Sequence, residues 1–137
     1  MASEPALPPP IVLLVEPSGP KHQHAEVVTR AGFRVVRLPP EEVTPPQILD
    51  VGPAIIAVEL DGANAGDALD LAPRLRADAR ARSIPVIVYG HGLDASDIER
   101  AARGGAMWLQ LEPSDGLKLV AAIRGVLTAS GIVVKET

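Results

Sequence analysis

The 137-residue chain has no cysteine, only three aromatic residues and no excess of positive charge. Each shortage removes a class of function. Without Cys there is no disulfide framework and no thiolate metal site, which fits a reducing, cytoplasmic setting. A formal net charge of −4, with 13 Lys and Arg dispersed along the chain, argues against direct nucleic-acid binding, because phosphate contact wants a basic face. No 18-residue apolar span occurs, nor a basic segment followed by a hydrophobic signal core, so no membrane association is expected. Also missing are a Gly-rich phosphate loop, a Ser/His/Asp nucleophile set and a Cys/His cluster, which disfavours an enzyme or a nucleotide binder.

What is present suits one ordinary core: 47% of residues are hydrophobic and 22% charged, enough for a single domain. Residues 1–10 are Pro-rich and read as a disordered lead-in, residues 11–129 as the domain, and 130–137 as a tail or the start of a linker. Ile11 to Val15, Arg34 to Leu38, Pro53 to Leu60, Ile84 to Gly90 and Met107 to Leu111 read as five strands. Helical patterns fall between them, from about Lys21 to Ala31, from Pro45 to Asp50 behind an N-cap at Thr44, from about Asp67 to Ala81, from Asp94 to Arg103, and from Ser114 to Ala129. Pro73 inside the third helical pattern implies either a late start or a kink. Five strands alternating with five helices predict an α/β domain with a doubly wound parallel sheet. In such sheets sites form at the C-terminal strand ends, where Glu16 and Glu59 both fall.

The blocks resemble, in order and spacing, the receiver domain of two-component response regulators. Leu13-Leu14-Val15-Glu16-Pro17 is similar to the family's first strand and acidic pair, and Pro53 to Leu60 to its phospho-acceptor strand. Leu75 to Ile87, Gly104-Gly105-Ala106 and Glu112-Pro113 resemble later blocks in the right sequence. The resemblance implies strand order 2-1-3-4-5, the flavodoxin-like arrangement. It also implies a pocket in which an Asp accepts a phosphoryl group, two acids hold Mg²⁺, and a hydroxyl and a Lys contact the phosphate.

This chain departs from that pattern at each of those positions. Glu59 stands at the acceptor, Glu16 at the first metal-side acid, Pro17 at the second, Gly90 at the hydroxyl and Glu112 at the Lys. An extra methylene misplaces an attacking oxygen by about 1 Å, which costs ~10²-fold in a reaction governed by positioning. Glu112 puts an anion where a cation would meet the phosphate. Mutual repulsion among Glu16, Glu59 and Glu112 would raise a carboxyl pKa or recruit a cation or an Arg. The expected molecule is a pseudo-receiver that is no enzyme, uses no cofactor, binds Mg²⁺ weakly or not at all, and acts by protein contact in bacterial signalling. A phospho-Asp mimic at Glu59 would lack the hydroxyl and Lys it needs, so a single conformation without a phospho-switch is expected.

Remaining residues carry plainer readings. His22 and His24, at i and i+2, do not share a helix face and read as solvent-facing. Pro17-Ser18-Gly19-Pro20 lacks amide donors for a phosphate. Asp94, Asp97 and Glu99 read as caps and dipole partners, and the Arg residues at 74, 76, 80 and 82 as a solvated face. Met107, Trp108 and Leu109 fall where the resemblance implies a partner-binding or homodimer face of the fourth helix, fifth strand and fifth helix. There Trp108 is either a binding anchor or a buried packing residue. Two other functions stay open: a flavodoxin-like domain binding a small ligand or cation, and a receiver phosphorylated at a surrogate acid such as Asp61.

Overall fold

A computed structural model describes residues 9–16, 24–39, 42–60, 65–90, 94–111 and 116–131, with the backbone alone for 65–69. The elements run β1 (Ile11–Val15), α1 (His24–Arg30), β2 (Arg34–Leu38), α2 (Pro45–Val51), β3 (Ile55–Glu59), α3 (Ala65–Arg76), β4 (Val86–Gly90), α4 (Ala95–Arg103), β5 (Met107–Gln110) and α5 (Gly116–Ala129). All strand pairs are parallel, and the sheet order is β2-β1-β3-β4-β5. The α/β, doubly wound flavodoxin-like topology expected from the sequence is the one observed.

Composition explains which strands sit where. β1, β3 and β4 are near-continuous apolar runs and fill the centre, buried on both faces. β2, with Arg34 and Arg37 exposed, and β5, with Met107 and Trp108 exposed, lie at the edges, where charge and large side chains meet solvent. Period-two alternation divides the core. Leu13, Val15, Ile56, Val58 and Val88 pack with Ile48 of α2, Leu71 and Leu75 of α3 and Ala101 of α4. On the other face Val12, Leu14, Ile55, Ala57, Ile87 and Tyr89 pack with Val28 of α1 and with Leu119, Val120, Ile123 and Leu127 of α5.

Local chemistry fixes the helix ends. The Thr44 side chain accepts from the backbone N–H of Gln47, and Gly52 closes α2 at φ 65°. Asp94 and Asp97 form a reciprocal capping box at the start of α4. The third helix differs from expectation. It begins at Ala65, holds Pro73 in its last turn, and stops at Arg76 rather than near Ala81. Asp78 accounts for the early stop: its Oδ1 accepts the Arg80 amide at 2.9 Å and its carbonyl accepts from Ala81 and Arg82, turning the chain toward β4. The α4–β5 turn is pinned from α3, since Arg76 Nε and Nη2 donate to the carbonyls of Gly104 at 3.0 Å and Gly105 at 2.7 Å. No helix among the described residues is long and apolar enough to cross a membrane.

Candidate functional site

Three side chains reach the C-terminal edge of the sheet on the α1/α5 face because they continue an alternation set by the core. Glu16 follows Val12 and Leu14, Glu59 follows Ile55 and Ala57, and Tyr89 follows Ile87. Parallel register places Glu59 opposite Tyr89, and Val15 opposite Val58 one step below. His24, the first residue of α1, covers the three from above.

The geometry is a buried polar network. Tyr89 donates its hydroxyl to Glu16 Oε1 at 2.9 Å. His24 Nδ1 lies 3.5 Å from the same oxygen and 4.0 Å from Glu59 Oε1, which is ion-pair rather than hydrogen-bond spacing. Arg37, half exposed on β2, reaches Glu16 Oε2 at 3.4 Å. The imidazole meets the Tyr89 ring edge-on, with centroids 5.2 Å apart and planes 76° from parallel, which fixes the ring's orientation. Both Glu16 and His24 are buried.

Burial would by itself push the Glu16 carboxyl up, yet its contacts with His24, Tyr89 and Arg37 outweigh that and hold it below its ordinary value. The Glu16 contact, opposed by burial and aided by the charge of Glu59, raises His24. Burial first, then the two carboxylates, drives the Tyr89 phenol well above its ordinary value, so it stays a neutral donor. Of the two outcomes expected for crowded acids, the recruitment of an Arg is seen at Glu16, which Arg37 reaches while His24 faces its other oxygen. The solvent-facing reading of His24 is therefore corrected. It lies one helical turn before buried Val28, on the inward side of α1. Tyr89, unremarked in the sequence except as a strand residue, could have been found by carrying the strand alternation to its end.

The remaining expected positions are distributed as follows. Gly90 ends β4, buried, and contributes no side-chain oxygen. Pro17, His22, Asp61 and Glu112 lie outside the described residues. A lysine does reach the end of β5, but from α5: Lys118 Nζ donates to the Gln110 carbonyl at 3.0 Å. Met107 is 47% and Trp108 43% exposed, so Trp108 is not a buried packing residue, and Leu109 is half-buried against the α5 side of the core. Alternation puts Met107 and Leu109 on the α5 side of the edge and Trp108 on the α4 side.

The fold implies Mg²⁺, so the donors must be weighed against it. Mg²⁺ requires near-octahedral oxygen ligands. Here Glu16 Oε1 already receives Tyr89 and faces His24, Oε2 faces Arg37, and the following residue is Pro17. Among the described residues no group of three His, Cys, Asp or Glu side chains is arranged to hold a metal. This donor set does not suit Mg²⁺.

No protein-family model and no curated protein matches the chain. Solved structures do. The Vibrio cholerae chemotaxis protein CheY4 superposes with a TM-score of 0.74 at 14% identity, over 87% of this chain and 99% of that one. The signal receiver domain of a signal transduction histidine kinase from Syntrophus aciditrophicus gives 0.69 at 20% identity, over 93% and 97%. A response regulator from Thermotoga maritima gives 0.66 at 19% identity, over 88% and 98%. With the observed sheet order and two-faced core, these likenesses establish that the chain has the receiver-domain fold of response regulators.

Proposed function

We propose that this chain, through residues 11–129, is a receiver-like module of bacterial signal transduction that works by protein contact, without phosphoryl transfer and without enzymatic activity of its own. One observation carries the reading: the acid matching the first metal-side position, Glu16, is buried with both oxygens facing Tyr89, His24 and Arg37. Phosphoryl transfer in this fold depends on a metal ion and a fixed cation beside the acceptor. Glu59 at the acceptor position is a methylene too long, Gly90 has no hydroxyl, and Glu112 replaces the Lys with an anion. Mg²⁺ binding is weak or absent on this reading.

The partner surface is the β5 edge. Met107 and Trp108 are large apolar side chains exposed on one short strand, and Trp is frequent among residues that dominate binding energy. A second copy of the chain or another signalling protein would dock there.

The test is incubation with a small-molecule phosphodonor and Mg²⁺, followed by intact-mass measurement. An unmodified mass is expected. A phosphoryl adduct would overturn the proposal, and fragment masses would tell whether Asp61 or Glu59 had accepted it.

A further inference from the structure

Of the 13 cationic residues in this acidic chain, those at 74, 76, 80, 82, 100 and 103 are all Arg and stand close together in the fold. They occupy the last turns of α3 and α4 and the turn that follows α3, at the end of the sheet where β4 and β5 begin. We infer that these arginines and the exposed Trp108 form one docking strip for an acidic segment of another protein, whose carboxylates meet the guanidinium groups while an apolar side chain meets the ring.

Charge and position carry this. Asp70 takes Arg100 at 3.1 Å, and Glu99 takes Arg103. Asp78 takes Arg80 at 3.2 Å and also lies in the field of Arg82, so one carboxylate serves two cations. Asp94 and Asp97 are occupied with each other's amides at the opposite end of α4. Arg74, exposed, is in no ion pair among the described residues. Arg76 donates to the carbonyls of Gly104 and Gly105, which are neutral and leave its charge unbalanced. Those bonds lay its guanidinium along the α4–β5 turn, in room that Gly105 leaves: a Cβ there would fall 2.1 Å from Arg76 Nε. Trp108 shares the parity of buried Ala106, which packs with Leu71, Leu75 and Ala101, so the ring is turned to the α3 and α4 side of the sheet. A helix C-terminus favours cations, which accounts for Arg74, Arg76, Arg100 and Arg103 but not for Arg82, beyond α3. The planar guanidinium binds carboxylates bidentately and sheds water more readily than an ammonium, which suits an interface. A net charge of −4 opposes a long polyanion, so a short run of carboxylates is a better match than nucleic acid.

The strip extends the β5 edge proposed as the partner surface and rests on that proposal, and its test separates the two. A fluorescein-labelled peptide of alternating Glu and Leu is titrated with the wild-type chain at low and at physiological salt, with anisotropy as the readout. Its counterpart with Gln in place of Glu and a labelled single-stranded DNA are titrated in parallel. The acidic peptide should bind saturably, more weakly as salt is added, and more tightly than either comparison. Arg74→Glu/Arg82→Glu changes two exposed side chains and should weaken binding about tenfold at an unchanged melting temperature. Trp108→Ala should weaken it as well. The inference is overturned if the acidic peptide does not bind, if the Gln peptide or the DNA binds as tightly, or if the arginine variant binds like the wild type. Should the reversed charges unsettle the fold, Arg74→Gln/Arg82→Gln decides by the same criterion, with a loss of roughly threefold expected. A loss confined to Trp108→Ala leaves the β5 edge standing and removes the strip, whereas a loss confined to the arginine variant removes the edge and the inference with it.

Discussion

A carboxylate taken out of water is expensive unless partners repay the lost hydration, and Glu16 has three of them. Removing one should be felt. Tyr89→Phe deletes the hydroxyl and nothing else, so Glu16 Oε1 loses its 2.9 Å donor, and a loss of about 1–3 kcal/mol is expected in urea unfolding. Stability should also depend on pH with a definite sign. His24 binds its proton more tightly in the fold than its ordinary 6.5, so its contribution is complete below pH 6.5 and is lost as pH rises through the raised value. Glu16 is held below its ordinary 4.5, so its contribution is complete above pH 4.5 and is lost as pH falls through the lowered value. The melting temperature should therefore be highest between those two pH values and fall on both sides, and His24→Gln should flatten the alkaline limb. A wild-type melt that rises steadily from pH 6 to 9 would refute the assignment. The acids at the strand ends were legible because they interrupt apolar runs. His24 is less legible: its spacing from His22 is silent about burial, and the informative neighbour is Val28, one turn on.

At the scale of elements, hydrophobic pattern located all five strands, because central strands of a parallel sheet are apolar throughout and edge strands are visibly not. Arg37 in the second strand and the exposed pair in the fifth mark the edges as plainly as the Val and Ile residues mark the centre. The end of α3 was harder to read. Leu75 and Ala79 continue a helical spacing, but a side-chain acceptor at Asp78 offers the Arg80 amide a competing bond, and the turn wins. The same stretch holds the α4–β5 turn through Arg76, and Gly105 adopts φ 81° against that side chain. Gly105→Ala should cost more than ~1 kcal/mol, from the left-handed backbone and from displacing the guanidinium. Arg76→Ala should cost about 1–2 kcal/mol for two carbonyl bonds. In a double-mutant cycle the glycine substitution should be milder when Arg76 is already gone; additive losses would show that backbone strain alone matters.

Across the whole molecule the interior pocket and the exposed β5 edge are separate places. Trp108→Ala removes a half-exposed ring from an edge strand and should change the melting temperature little, while abolishing retention of a partner in pull-downs from the native host. Unchanged retention with an intact fold would remove the edge from consideration. The same separation gives the chain a convenient optical property. It has one tryptophan and one tyrosine, and they lie in different worlds, Trp108 on the surface and Tyr89 sealed beneath His24. Fluorescence excited at the red edge of indole absorption therefore watches the β5 surface alone, and ultraviolet difference absorption of the phenol watches the interior. Docking and pocket opening can each be followed without a label, in a single cuvette.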